Sequence, residues 1–228
     1  MGEAHMAALE PVRAGLLAAG RRAPFFDPED GGAGARLLLL METPGPAADG
    51  PRIVSQDNRT PTGANLRRFL LAAGVARRDL LIWNVVPWIV HAPGARNRAV
   101  TRAERAEGAA MLPDLLARLP RLAVAVLAGR HAAAAAPEIR AARPDLAVLA
   151  MPHPSPVICC TDPVFPARIT AALATAAALL SKDAGLAAQG GRADRTPAMG
   201  RGVVNYALPY DETRAGIGEL RDPDQADG

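Results

Sequence analysis

The stretch RLLLLMETPGP, residues 36–46, decides the fold of this chain. Four leucines and a methionine stand in sequence, and proline and glycine follow within four residues. A short, uninterrupted apolar run bounded by turn residues predicts a strand that is buried on both faces. Strands of this kind are typical of parallel sheets with helices on either side. Glu42 is the first polar residue after the run.

Three further apolar runs follow, and helical patterns separate them. The runs are DLLIWNVVPW (79–88), LAVAVLAG (122–129) and DLAVLAMPHP (145–154). Alanine-rich or amphipathic patterns predict helices over 4–19, 62–74, 101–119, 130–142 and 165–181. Thr101 with Glu104 three residues on predicts a capping box. The alternation predicts a three-layer α/β/α fold with a central, mostly parallel four-stranded sheet.

Length and composition indicate one domain and a tail. The chain has 228 residues, and its strand and helix pattern ends near residue 182. We therefore expect an α/β domain over 1–182 and a flexible tail over 183–228, which is charged, glycine-rich and aperiodic. Residues 1–181 hold 20 basic and 15 acidic side chains, a net charge of +5 that is compatible with a polyanionic partner.

The cysteines and the hydropathy pattern indicate the cellular compartment in which the protein is expected. The two cysteines, Cys159 and Cys160, are adjacent, so they make neither a disulfide framework nor a CxxC metal site. We expect a reducing, cytoplasmic location. The N-terminus lacks the pattern of a signal peptide, and the run at 37–41 is too short to cross a membrane.

Polar residues follow the ends of the predicted strands. Glu42 follows the first, Asn84 the second, and His153 the fourth; Gly129, Arg130 and His131 follow the third. Ligands of open parallel sheets bind beyond the carboxyl ends of the strands. The sequence therefore predicts a polar site at this edge. In MPHPSP (151–156) three prolines flank His153 and restrict the backbone that carries it.

Three motifs carry a resemblance to a known family. METPG (41–45), WNVVPW (83–88) and HPSP (153–156), in this order on this strand pattern, resemble the uracil-DNA glycosylase superfamily. The likeness is to the branch whose first motif reads G-E-x-P-G, and it covers about two thirds of the chain, from Arg36 to Leu180. The resemblance implies an enzyme that flips a damaged nucleotide out of DNA and removes its base. A monomer would suit an enzyme that must embrace DNA, and the oligomeric state stays open.

The resemblance also implies a role for each strand-end residue. Glu42 would orient or deprotonate the attacking water, and Asn84 would read the edge of the base with its amide. His153 would donate a hydrogen bond to the carbonyl oxygen of the leaving base. The alternatives are structural: Glu42 bonded to backbone amides, Asn84 turning the chain, and His153 capping a strand end.

Other residues are expected around these three. The turn that holds the water would consist of Thr43, Pro44 and Gly45, while Asp57 and Asn58 lie in a polar loop near the expected pocket. DNA contacts are expected from Pro154, Ser155, Pro156, Val157, Ile158 and Arg98. Val157 and Ile158 would wedge into the base stack, or else pack in the protein in the ordinary way.

The chain departs from that branch at three points. The branch binds an iron–sulfur cluster through four cysteines, and this chain has two, so we expect no metal and no cofactor. Met41 replaces the first glycine of G-E-x-P-G. The aromatic residue that stacks on the base in the branch is missing from IVSQDNRTPTGAN (53–65).

Three functions stay open. The first is a monofunctional glycosylase that removes uracil from DNA and leaves an abasic site. The second is a glycosylase for another deaminated base, hypoxanthine or xanthine. The third is a DNA-binding relative without catalysis. A serine hydrolase is disfavoured because G-x-S-x-G is missing, and a dinucleotide-binding domain because no G-x-G-x-x-G follows the first strand.

Overall fold

The centre of the molecule is a four-stranded, fully parallel sheet. The computed structural model describes residues 4–45, 52–92, 95 and 98–189. The sheet consists of β2 (Leu37–Met41), β4 (Leu80–Asn84), β5 (Val124–Ala128) and β6 (Ala147–Met151), in the spatial order β4-β2-β5-β6. All four coincide with the predicted apolar runs, and the predicted fold class is confirmed.

Strand β2 lies inside the sheet and carries the first motif. Leu37 to Leu40 are fully buried, because helices cover both faces and β4 and β5 flank both sides. The register places Met41 opposite Asn84. The first and second motifs therefore leave the sheet side by side.

Helices connect the strands and form two layers. They are α1 (Glu10–Ala18), α2 (Pro61–Ala72), α3 (Arg102–Ala110), α4 (Leu112–Ala117), α5 (Arg130–Ala133), α6 (Ala136–Ala142), α7 (Pro156–Thr161) and α8 (Val164–Gln189). Helix α2 packs on α8, and α4 packs on α6. Because parallel crossovers are right-handed in nearly all proteins, the strand order β4-β2-β5-β6 implies that these two pairs cover opposite faces of the sheet.

Prolines divide three of the predicted helices. The 4–19 pattern is a 3₁₀ turn (Ala4–Met6) followed by α1; 101–119 is α3 and α4, and 130–142 is α5 and α6. Each second segment has a proline in its first two positions: Pro11, Pro113 and Pro137. Proline fits the start of a helix but removes a hydrogen bond from its interior, so one continuous helix is disfavoured.

Two short strands and one short helix were not predicted, and one predicted helix is longer than expected. Strands β1 (Phe25–Phe26) and β3 (Ile53–Val54) form a separate parallel pair. Helix α7 follows directly after the HPSP motif. Helix α8 extends to Gln189, past the predicted start of the tail at 183. The rest of that predicted tail, 190–228, lies outside the described residues.

Helix α8 is long and apolar enough to cross a membrane by length and composition alone. Over Val164–Lys182 its mean hydropathy is 1.5. Ile169, Leu173, Ala176 and Leu180 are buried, and the helix packs on β5 and β6. Core packing therefore accounts for these four positions, while 28% of the span as a whole is buried.

A network of charged side chains lies at the amino end of β4. Arg77 contacts the carboxylates of Asp27, Asp30 and Asp57, with 3.1 Å between its Nε and an oxygen of Asp30. Asp27 and Asp30 are buried, and Asp30 also accepts the Ile82 N–H. Burial and the neighbouring Asp27 raise the pKa of Asp30 to about 7, while Arg77 opposes that rise.

Candidate active site

Glu42 and Asn84 meet at the carboxyl edge of the sheet. The Val85 N–H donates to the Met41 carbonyl at 2.8 Å, and the Val86 N–H donates to the Glu42 carbonyl at 2.9 Å. These bonds continue the pairing of β2 with β4 beyond the ends of both strands. They fix the backbones of the two motifs against each other.

Asn84 offers a buried donor that the protein does not use. Its side chain is 2% exposed, and its Nδ2 has no hydrogen-bond partner among the described residues. Nearly all buried polar groups in proteins are hydrogen-bonded, so an exception calls for an explanation. A ligand with a carbonyl oxygen would satisfy this amide.

His153 is held as a neutral donor. The Ser155 N–H donates to its Nδ1 at 3.2 Å, so the proton of the neutral ring lies on Nε2. Burial lowers the pKa of His153, which keeps the ring neutral at pH 7. A neutral imidazole fixed in this way presents Nε2–H to a ligand.

Gly129 leaves room for this histidine. It follows β5 with φ of +87°, and a Cβ at this position would lie 3.1 Å from the His153 Cβ. Both the backbone angle and the close approach require glycine.

Asn65 ties helix α2 to the HPSP motif and was not predicted. Its Nδ2 donates to the Pro154 carbonyl at 3.0 Å, across 89 residues of sequence. It fixes the loop that follows His153. The only sequence signal is a polar residue in an amphipathic helix, and this signal does not reveal a partner so distant in sequence.

Glu42 has His131 as a neighbour, and no role was predicted for that histidine. The His131 Nε2 lies 3.6 Å from a Glu42 carboxylate oxygen and accepts from the Arg130 Nε at 3.1 Å. Burial, with Arg105 and Arg130, lowers the pKa of His131 to about 4. The ring is neutral at pH 7, so the contact with Glu42 is not an ion pair there.

The environment of Glu42 acts on its carboxyl group in two directions. Burial raises its pKa, and the cations Arg105 and Arg130 oppose that rise. A carboxylate whose pKa is subject to these opposing effects is suited to accept a proton from water.

The predicted water turn packs on the loop after Asn84. The Thr43 hydroxyl donates to the Trp88 carbonyl at 3.3 Å. Pro44 is buried, and a Cβ on Gly45 would lie 3.3 Å from the Arg52 Nη2. The turn is therefore fixed from both sides.

The side chains of Asp57 and Asn58 make their contacts away from the strand-end residues. Asp57 contacts Arg77 and lies 3.5 Å from Arg67, and Asn58 donates to the Ile53 carbonyl at 2.9 Å. These contacts organise the loop before α2 and do not join the strand-end residues. A pocket role for the pair stays a prediction.

The HPSP motif leads into helix α7. Pro156 occupies the first turn of the helix, and the Ser155 hydroxyl accepts the Ile158 N–H at 3.4 Å as its N-cap. Val157 is 68% exposed, whereas Ile158 is half-buried. Of the two predicted wedge residues, Val157 is the one open to a partner.

The Arg98 guanidinium binds groups within the protein. It makes two bonds to the Glu104 carboxylate, at 2.6 and 2.8 Å, and a third to the Val90 carbonyl. Glu104 also completes the predicted capping box with Thr101, which is confirmed. Contact of Arg98 with DNA stays a prediction.

The cysteines do not fit an iron–sulfur cluster. Two adjacent residues, Cys159 and Cys160, cannot replace a set of four ligands. In the part of the chain that the structure describes, no group of three or more His, Cys, Asp or Glu side chains could hold a metal ion.

The fold and the strand-end residues define a class: α/β proteins that bind their ligand at the carboxyl edge of a parallel sheet. A family model described as the uracil DNA glycosylase superfamily matches residues 28–176. The chain therefore belongs to this superfamily. Membership supports a DNA glycosylase-type function with DNA as the ligand. A comparison with the curated proteins found no match.

Proposed function

We propose that this protein hydrolyses the N-glycosidic bond of uracil in DNA and leaves an abasic site. The observation that carries the proposal is the buried Nδ2 of Asn84, which has no partner among the described residues and lies on the same edge as His153 and Glu42. The uracil edge offers two carbonyl oxygens with an imide N–H between them. An amide donor and an imidazole donor match the two oxygens.

The reaction breaks the bond between C1′ of the sugar and N1 of uracil. The electron pair of that bond moves onto the base, and negative charge develops on its carbonyl oxygen. His153 donates from Nε2 to that oxygen, while its Nδ1 stays bonded to the Ser155 N–H. A preorganised donor of this kind contributes about 2.7–4 kcal/mol.

Water completes the reaction at C1′. Its oxygen forms a bond to the sugar carbon, and one of its protons passes to the Glu42 carboxylate. The negative charge of Glu42 also stabilises the positive charge that develops on the sugar. Arg105 and Arg130 keep this half-buried carboxyl available as a base.

The base must leave the stack before it can enter the pocket. Exposed Val157 stands at the start of α7, four residues after His153. An apolar side chain inserted into DNA stabilises the gap that a flipped nucleotide leaves. The HPSP segment and the net positive charge of the domain support contact with the strand.

The test is base release from end-labelled oligonucleotides carrying one uracil, single-stranded or paired with G or A. EDTA is present, and hot alkali then cleaves at abasic sites. We expect strand breaks with wild type and rates roughly 10²–10³ lower for His153→Ala. Asn84→Ala is the second variant. Exposed Leu71→Ala on α2 is the control and should keep full activity.

The outcomes separate the competing functions. Breaks only at hypoxanthine or xanthine would replace uracil by another deaminated base, a choice that the missing stacking aromatic in 53–65 leaves open. No release from any base, with DNA binding retained, would show a relative without catalysis. Release that is unaffected by His153→Ala would contradict the proposed role of that histidine.

A further inference from the structure

A second group of unpartnered side chains lies in the turn after Asn84. His91 is 6% exposed, and neither of its ring nitrogens has a hydrogen-bond partner among the described residues. The indole N–H of Trp88, three residues earlier, is also buried without one. Two orphaned polar side chains in one turn indicate a missing ligand more strongly than one does.

Arginines converge on this turn from two other segments. Arg22 donates to the His91 carbonyl at 2.7 Å and accepts the Ile89 N–H at 3.0 Å. The Arg52 carbonyl accepts the Phe25 N–H at 2.6 Å, close to Arg22 in the chain. The Arg52 guanidinium lies against Gly45 of the water turn. Both cations therefore lie beside the active-site loop.

Among the described residues, no carboxylate pairs with Arg52 beside this turn, and burial lowers the pKa of Arg52. Burial lowers the pKa of His91, and three cations, Arg22, Arg52 and Arg98, lower it further. Of the three, Arg98 is neutralised by Glu104. A half-buried guanidinium without an anion is costly, because buried charges are normally paired.

We propose that Arg22, Arg52 and His91 form a binding site for one phosphate group of the DNA strand, beside the Thr43–Gly45 turn. The guanidinium groups supply charge and paired donors to phosphate oxygens. The neutral imidazole supplies one more N–H. This inference rests on the proposed function only in assuming that the ligand is DNA. It would hold the strand next to the nucleotide that enters the pocket.

The salt dependence of binding tests the charges. Affinity for an undamaged single-stranded oligonucleotide is measured across a range of KCl concentrations. Removal of one phosphate contact lowers the slope of log K against log salt by about 0.7 for single strands. We expect this decrease for Arg22→Ala and for Arg52→Ala. Arg52→Lys keeps the charge and should keep the slope. Exposed Arg121→Ala, just before β5, is the control.

His91→Phe tests the imidazole separately. The neutral ring contributes a hydrogen bond and no charge, so affinity should fall about tenfold while the slope stays that of wild type. Circular dichroism and the unfolding midpoint show whether this buried variant folds. If it does not fold, His91→Asn, which retains a donor, takes its place and should bind more tightly than His91→Ala.

Nuclear magnetic resonance of the histidine rings identifies the source of the phosphate. Inorganic phosphate, compared with chloride at equal ionic strength, should shift the His91 signals saturably, and Arg52→Ala should abolish the shift. If the alanine variants lower the salt slope but inorganic phosphate does not shift the His91 signals, the site binds a phosphodiester within a DNA strand and not free phosphate. Wild-type slopes in both alanine variants together with no shift would overturn the proposal. Since undamaged DNA is used, these results do not depend on base release.

Discussion

At the scale of single residues, the buried Nδ2 of Asn84 has no hydrogen-bond partner in the part of the chain that the structure describes. An unpaired buried donor costs about 1–3 kcal/mol. Such a cost is expected at a binding site, where a ligand would supply the missing hydrogen bond. Asn65 is the contrasting case, because its amide is bonded to the Pro154 carbonyl in the folded protein itself.

Stability should distinguish these two asparagines. For Asn84→Ala we expect loss of base release, with a free energy of unfolding within about 1 kcal/mol of wild type, because the cavity offsets the removal of an unpaired donor. Asn65→Ala loses the hydrogen bond to the Pro154 carbonyl, and its free energy of unfolding should be lower by about 1 kcal/mol. Urea denaturation measures both. A large loss of stability in Asn84→Ala alone would show that its amide is satisfied internally.

His131 should make the protein less stable in acid. Its folded pKa of about 4 lies below the unfolded value of 6.5, so the unfolded chain binds more protons between these values. The free energy of unfolding should therefore fall as the pH drops from about 6.5 to about 4. His131→Gln should remove this part of the decrease. Urea denaturation across that range tests it, and identical pH dependence in both proteins would contradict it.

The strand-end residues were predictable, and their supporting residues were not. Glu42 directly follows β2, Asn84 is the last residue of β4, and His153 lies two residues after β6. Parallel strands end at one edge, so the three were predicted to lie near each other. Asn65 and His131 depend on side-chain contacts between segments far apart in sequence. A helical asparagine and a histidine after a strand carry no signal of which residue they will meet.

At the scale of elements, helix α7 presents one apolar side chain to solvent at its start. We expect Val157→Ala to slow release of uracil from double-stranded DNA by about tenfold, because a smaller wedge stabilises the flipped state less. Release from single strands should change little, since no stack has to be filled. Val157→Leu should restore the rate.

Single-turnover kinetics on both substrates measure this effect. Val164→Ala, another exposed valine at the start of α8, is the matched control. Equal slowing on single and double strands would instead assign Val157 to the pocket or to folding.

Element boundaries were predictable where a local signal existed. The capping box at Thr101 and Glu104 placed the start of α3 correctly. The apolar periodicity continued across Pro113 and Pro137, and the backbone requirement of proline broke those helices. Strands β1 and β3 have two residues each, so no periodicity existed to detect.

At the scale of the whole molecule, Arg77 joins three segments through carboxylates. Arg77→Met would leave the buried Asp27 and Asp30 without their cation, and we expect a loss of about 3–5 kcal/mol. Asp57→Asn removes a partner whose side chain is 49% exposed and should cost less than about 1 kcal/mol. Urea midpoints of the two variants test this. Similar losses in both would contradict a buried network.

The strand count and parallel direction followed from the sequence, but the strand order did not. Every apolar run became a strand because only a doubly covered sheet buries such runs. The order β4-β2-β5-β6 depends on which helix covers which face. This is a property of tertiary packing that no single segment encodes.

Strand β2 has neighbours on both sides, whereas β4 and β6 lie at the edges of the sheet. Amide protons of 37–41 should therefore exchange with deuterium only when the entire domain opens, and those of the edge strands sooner. Glu42 directly follows β2, one of the two interior strands, whose amides we expect to exchange most slowly. If the proposed roles hold, local opening around Asn84 or His153 would admit and release a nucleotide while the attachment point of the Glu42 carboxylate stays fixed.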